Sequence, residues 1–91
     1  MAIGNIQAGS TKVLTASGTV KTGDGVLLGV IVSSSTALTI KLWDNTAASG
    51  TVLVDTTAAI TAPTFIPMPV TFATGLFATL GGTGSAAFVY I

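Results

Sequence analysis

The chain of 91 residues is 49% hydrophobic and only 7% charged, whereas soluble domains average about 25% charged residues. Three lysines balance three aspartates, and cysteine and histidine are both absent. This composition excludes disulfides and thiolate metal sites, removes the commonest general base, and provides no basic patch for nucleic acid.

Short strand-like segments make up most of the chain. They are rich in Val, Ile and Thr and are bounded by Gly, Ser, Asn, Asp and Pro, and no segment has the apolar spacing of a helix. Residues 1–10 predict a short N-terminal arm, and residues 11–91 predict a single domain. The predicted strands are residues 11–15, 18–20 (separate or continuing the first), 26–33, 36–44, 51–57, 65–72, 76–80 and 85–91.

Residues 26–33 form the most apolar of these predicted strands. Strict alternation assigns one face to Val26, Leu28, Val30 and Val32, and the other to Leu27 and Ile31. A strand that is apolar on both faces is typical of a central strand or of one whose outer face is covered. Ser33, Ser34 and Ser35 are predicted to form the turn that follows it.

Residues 36–44 alternate more regularly. Leu38, Ile40 and Leu42 point to one side, and Thr39, Lys41 and Trp43 point to the other. Trp43 adjoins a loop that begins at Asp44 and Asn45. In that position a tryptophan can belong to the core, anchor a subunit interface or stack on a sugar ring.

Residues 65–72 are predicted to form an edge strand. Ile66, Met68, Val70 and Phe72 share one face, and Pro67 and Pro69 alternate with them. Because proline cannot donate a hydrogen bond to a neighbouring strand, the two prolines assign this segment to the edge of a sheet.

The last two predicted strands flank a predicted four-residue loop, residues 81–84. Both strands are apolar on both faces. In the first, Leu76 and Phe77 point to different faces; in the second, Phe88 and Tyr90 share one face and Val89 points to the other. The whole pattern predicts an all-β fold. We expect a compact antiparallel two-sheet sandwich with seven or eight short strands and jelly-roll or Greek-key connections.

A chain with so few charges either covers its surface with hydroxyl groups or buries part of it against other copies. The abundant Thr and Ser fit the first interpretation, and the strands that are apolar on both faces fit the second. The candidate interface residues for the oligomer or for a larger assembly are Leu27, Ile31, Trp43, Phe77 and Val89.

No group of residues has the composition of a catalytic site. The serines at 33–35 have no histidine to activate them, and the three aspartates lack the spacing of a calcium-binding loop. We therefore expect no enzymatic activity, no cofactor and no metal site.

The sequence also predicts neither a membrane span nor a signal peptide. The longest apolar run, residues 25–32, is far shorter than the roughly 20 residues that a helix needs to cross a bilayer. The first twelve residues lack a basic segment followed by an apolar one. We expect synthesis in the cytoplasm without export by the general route.

Three segments of the chain together resemble a known family. They are KTGDGVLLGVIV at 21–32, LTIKLWDNTAASGTVLVDTT at 38–57 and FIPMPVTFATGLFATLGGTGSAAFVYI at 65–91. This succession of strands and turns is similar to that of the small β-sandwich virion proteins of tailed bacteriophages. The resemblance covers about residues 18–91, and the loop DNTAASGT at 44–51 is its most specific part.

The resemblance implies a non-enzymatic structural role. Such a protein would be a capsid decoration or cement protein, commonly a homotrimer, that binds the major capsid protein on the surface of the virion. It would be made in the host cytoplasm. An alternative interpretation is a glycan-binding or adhesive module of a tail or fibre, in which Trp43 and the Asp44-Asn45 loop form a shallow stacking site.

Overall fold

A computed structural model describes residues 10–55 and 57–91. These residues form one antiparallel sheet of six strands; 74% of them are in strands and none is in a helix. No helix that could span a membrane is found among them. The strands are β1 (Ser10–Leu14), β2 (Gly18–Thr22), β3 (Gly25–Asp44), β4 (Thr51–Val54), β5 (Thr64–Phe72) and β6 (Gly75–Tyr90).

The two long strands β3 and β6 lie side by side at the centre of the sheet. Along the free side of β6, β1 pairs with residues 86–90 and β2 pairs with residues 75–78. Along the free side of β3, β5 pairs with residues 25–32 and β4 pairs with residues 42–44. The sheet therefore has two parts, here called the β1/β5 half and the β2/β4 half, which share β3 and β6.

β3 and β6 bend together where the two halves meet. Their register shifts three times, after Leu27, after Val32 and after Thr36, and each shift gives β3 one extra residue. Such bulges bend a strand and increase its twist. The sharpest irregularity is at Ala37 and Gly82, which have positive φ angles of 55° and 75°.

The bend brings the two ends of β3 to the same turn. Gly25, the first residue of β3, pairs with Phe72 at the end of β5. At its last residue, the Asp44 carboxylate accepts hydrogen bonds from the backbone amides of Ala73 and Thr74, in the turn between β5 and β6. A straight strand of 20 residues would separate its ends by about 65 Å, so β3 must fold back strongly to reach this turn twice.

Buried side chains from both halves form a single hydrophobic cluster. The largest fully buried ones are Phe88, Leu27, Leu38, Ile40, Leu42, Leu76, Val30 and Val32. Among the described residues no polar or charged side chain is buried. The prediction that Leu38, Ile40 and Leu42 share one side is confirmed, and that side is the core. The assignment of residues 65–72 to an edge strand is also confirmed.

Two predicted chain reversals are wrong. The serine turn at 33–35 lies inside β3, and the glycine loop at 81–84 lies inside β6, so six strands replace the seven or eight expected. These two polar segments pair with each other: Ser34 lies opposite Ser85, and Thr36 lies opposite Thr83. Each segment therefore keeps a partner for its backbone while it bends, and neither needs to reverse the chain.

The predicted orientation of Leu27 is also wrong. Leu27 is fully buried in the core and cannot be an interface residue. Val26 points to the outer side of the sheet, together with its exposed partner Thr71 on β5. The register shift between Leu27 and Gly29 makes Leu28 an extra residue relative to β6. Because one inserted residue reverses the alternation that follows, Val30 and Val32 share the core side with Leu27.

The N-terminal arm predicted at 1–10 lies outside the described residues except for Ser10, which begins β1.

Candidate interaction surfaces

A row of apolar side chains crosses the outer side of the β1/β5 half. Val13 on β1 lies opposite Ala87 on β6, Ala87 lies opposite Ile31 on β3, and Ile31 lies opposite Phe65 on β5. Residues directly opposite each other point to the same side of a sheet. Val13, Ile31 and Phe65 are exposed by 57%, 46% and 55%. We call this row, with its neighbours Val89 and Pro67, the apolar face.

The adjacent row on the same side is also uncharged. It runs from Thr11 through Val89 and Gly29 to Pro67. Gly29 has no side chain, and the Phe65 ring lies over it: a β-carbon at position 29 would stand only 2.5 Å from Phe65 Cζ. The far edge of the Phe65 ring therefore leans over β3 at Gly29, which keeps this part of the apolar face shallow.

All six ionic residues lie away from the apolar face. Lys12 is nearest, but it lies opposite the buried Phe88 and so points to the other side of β1. The other five ionic residues lie elsewhere in the fold. Lys21 is on β2 and Asp24 is in the β2–β3 turn, Lys41 and Asp44 are near the end of β3, and Asp55 follows β4. The apolar face is therefore electrically neutral.

The outer side of the β2/β4 half carries a second, chemically different row. It runs from Thr19 on β2 through Phe77 on β6 and Trp43 on β3 to Val52 on β4. Phe77 and Trp43 are partly buried, and Val52 is 40% exposed. We call this row, with Lys41 and Thr79 beside it, the tryptophan face.

Polar contacts hold Trp43 on that face. Its Nε1 donates a hydrogen bond to Thr79 Oγ1 over 3.0 Å, and Lys41 Nζ lies 4.7 Å from the centroid of the ring. Lys41 Nζ also lies 3.8 Å from Asp55 Oδ1. A cation over an indole ring is stabilising, and it occupies one side of the ring.

The Asp44 carboxylate is hydrogen-bonded to backbone amides. Its Oδ1 accepts from the amides of Ala73 at 3.0 Å, Thr74 at 2.8 Å and Gly75 at 3.4 Å, and its Oδ2 accepts from Ala73 at 3.1 Å. These amides, that of Thr74 first, lower the pKa of Asp44 below its ordinary value of 3.8. The carboxylate joins the end of β3 to the β5–β6 turn.

The loop after Asp44 is likewise held by its own side chains. Asn45 Nδ2 donates to the carbonyl and hydroxyl oxygens of Ser49 at 3.0 and 3.1 Å, and Asn45 Oδ1 accepts from the Thr46 amide at 2.7 Å. In the part of the chain that the structure describes there is neither a pocket nor a group of three possible metal ligands.

The five candidate interface residues separate into three locations. Ile31 and Val89 belong to the apolar face, Trp43 and Phe77 are direct neighbours on the tryptophan face, and Leu27 is in the core. Sequence reasoning missed Val13 and Phe65. The alternation of residues 65–72 already separates Phe65 from the inward-facing Ile66 and Met68, and that signal was available in the sequence.

Comparison of the chain with protein-family models, with curated proteins and with solved structures found no match.

Proposed function

We propose that this chain is a non-enzymatic structural subunit of a tailed-bacteriophage virion, a capsid decoration or cement protein. In this role it would associate with other copies, as a homotrimer, and bind the major capsid protein on the surface of the capsid lattice. The observation that carries the proposal is the neutral apolar row of Val13, Ala87, Ile31 and Phe65 on the outside of the sheet. The sequence resemblance supplies the virion context.

Large apolar side chains held outside the sheet favour an assembly over an isolated chain. Burying apolar surface releases about 25 cal/mol per Å², and this face could be buried without stripping water from any charge. Chains with near-zero net charge also associate readily, and here three lysines balance three aspartates. Both properties favour a subunit that works within a lattice.

The finer architecture belongs to the same proposal. We infer that the bent sheet forms two facing layers, a small sandwich with jelly-roll-like connections. Support comes from the single core shared by both halves and from the return of both ends of β3 to the β5–β6 turn. In such a sandwich the apolar face and the tryptophan face would point in opposite directions, so one could contact other copies while the other contacts the capsid.

Nuclear Overhauser effects test this layered arrangement. Two facing layers place buried methyl groups of residues 27–32 close to those of residues 38–42, although the strand between them is continuous. An open, extended sheet would give no such contacts, and that result would overturn the layered architecture.

Capsid binding tests the function itself. Purified protein is mixed with capsid shells of the phage that encodes it, assembled without this chain, and the shells are sedimented. We expect the protein to co-sediment at a fixed ratio to the major capsid protein and to raise the melting temperature of the shells. Shells that neither retain the protein nor gain thermal stability would overturn the proposal.

The glycan-binding alternative has less support from the geometry. A stacking site needs an open ring and free polar groups beside it, but Lys41 Nζ lies over the Trp43 ring and the Asp44 carboxylate is bonded to three backbone amides. The chain has a single tryptophan, so its fluorescence tests this alternative directly. A saturable change in emission on adding oligosaccharides would restore it.

A further inference from the structure

We infer that copies of this chain contact one another through the apolar face and not through the tryptophan face. The inference rests on the proposed function and deepens it, because it assigns the partner of one of the two surfaces: a second copy of this chain. Three features of the molecule support it: the distribution of charge, the shape of the apolar face and the polar groups on the opposite half.

Charge is the first argument. Where copies meet at a symmetry axis through the same face, as in a trimer, each copy places that face beside its own equivalent in the neighbouring copy. A charged face would repel itself, but none of the six ionic side chains belongs to the apolar face. A partner with charges of its own would bury them here without a counter-charge, which is costly. A neutral face is therefore best matched by itself.

Shape is the second argument. The Cζ and Cε1 atoms of Phe65 occupy the space above Gly29 where a side chain would otherwise project, so the ring leans over β3. The row beside it ends in Pro67, whose ring adds no long side chain. Four adjacent strands thus present a shallow apolar surface, and sheets with such surfaces pack face to face about 10 Å apart.

The tryptophan face is less suited to self-contact. Lys41, Asp55 and the indole–hydroxyl pair of Trp43 and Thr79 lie on or beside it. A partner that covers this face must supply polar groups in matching positions, because buried charges and donors left without partners are destabilising. A different protein can supply such groups more readily than a second copy of the same row.

Single cysteines test the assignment. The chain contains no cysteine, so Ile31→Cys places one thiol at the centre of the apolar face, and Val52→Cys places one on the tryptophan face. The two side chains are similarly exposed, by 46% and 40%. With a short bismaleimide we expect rapid cross-linking of two chains through position 31 and none through position 52 at the same protein concentration.

A matched pair of charge variants tests the same assignment without chemical cross-linking. Val13→Lys and Val52→Lys each place a lysine on an exposed valine of an edge strand, and exposed lysine is well tolerated at sheet edges. We expect Val13→Lys to weaken self-association by at least about tenfold, as loss of a buried apolar contact does. Val52→Lys should leave it unchanged. Circular dichroism verifies that both variants keep the β-sheet.

The outcomes separate this inference from the function that it rests on. Cross-linking through position 52 alone, equal effects of the two lysines, or a mass of 9.0 kDa at every concentration in light scattering would overturn the inference. Capsid binding by the same samples would still support the capsid-binding part of the proposed function, whereas a monomer would remove its homotrimer. If copies cross-link through position 31 but do not bind capsid shells, the inference stands and the proposed function fails.

Discussion

The carbonyl oxygen of Ala37 lies directly against the backbone of Gly82, on the side where a β-carbon would project. Both residues have positive φ angles, and they lie at the point where β3 and β6 bend together. Glycine adopts such angles freely, whereas alanine does so at a cost of about 1–2 kcal/mol. The bend that joins the two halves therefore depends on the absence of a side chain at position 82.

Replacing Gly82 by alanine should destabilise the fold for two reasons. The new β-carbon meets the Ala37 carbonyl, and the residue must keep a positive φ of 75°. We expect a loss of about 2–4 kcal/mol in the free energy of unfolding, measured by denaturant titration. Gly23→Ala is the matched control, because Gly23 has a φ of 90° but its β-carbon would meet nothing closer than 4.0 Å.

The difference between the two alanine variants measures the close approach alone. Equal losses would mean that the backbone angle explains everything and that the contact between Ala37 and Gly82 has no energetic importance. In the reverse direction, Ala37→Gly relieves the strained angle at 37, and we expect it to raise the free energy of unfolding by about 0.5 kcal/mol.

The same bend marks the limit of what the sequence could predict. The alternation of residues 36–44 and the prolines of residues 65–72 are local signals, and both predictions from them are confirmed. Serine-rich and glycine-rich segments normally end strands. Only the pairing of residues 34–36 with residues 83–85 lets them continue as β3 and β6, and a pairing between distant segments leaves no local pattern.

Bulges explain the remaining errors in assigning faces. Residue 28 is inserted relative to β6, so the simple alternation that assigned Leu27 to the side away from Val30 and Val32 does not hold across it. The apolar face could not be predicted for a related reason. Its members are widely separated in the sequence and become neighbours only through strand pairing: Val13, Ile31, Phe65 and Ala87. Sequence reasoning could identify apolar residues on the outside, but it could not assemble them into a row.

Leu27 and Leu28 provide a direct test of that bulge. Leu27 is fully buried and Leu28 is only partly buried. We expect Leu27→Ala to lower the free energy of unfolding by about 3 kcal/mol, and Leu28→Ala by about half as much or less. Thermal or denaturant unfolding measures both. A larger loss at Leu28 would mean that β3 follows the simple alternation of its sequence, without the inserted residue.

The hydrogen bond from Trp43 to Thr79 should be visible in fluorescence. Thr79→Val keeps the shape of the side chain but removes the oxygen that accepts from Nε1. We expect a loss of about 1 kcal/mol in the free energy of unfolding, together with a shift in emission as the indole changes its surroundings. Thr22→Val, an exposed threonine of β2, is the control and should leave the emission unchanged. If both variants have the same spectrum as the original protein, the indole is not held by Thr79.

The Asp44 carboxylate should make the fold sensitive to acid. Its hydrogen bonds to the amides of Thr74, Ala73 and Gly75 lower its pKa in the folded state below the ordinary value of 3.8. A carboxylate with a lowered pKa contributes stability that is fully present above its unfolded-state pKa and is lost as the pH falls through its folded-state pKa. We therefore expect the protein to lose stability below about pH 4, in the window between these two pKa values.

Asp44→Asn isolates this contribution from that of the other aspartates. The asparagine has one acceptor oxygen and no charge, so the variant should be less stable than the original protein at pH 7. The difference in unfolding free energy between the two proteins should stay constant from pH 7 to about pH 5 and shrink at lower pH. In NMR titrations the Thr74 amide resonance should follow the carboxylate and move with an apparent pKa below 3.8. A difference that is independent of pH, with a Thr74 resonance that does not titrate, would mean that Asp44 does not join β3 to the β5–β6 turn.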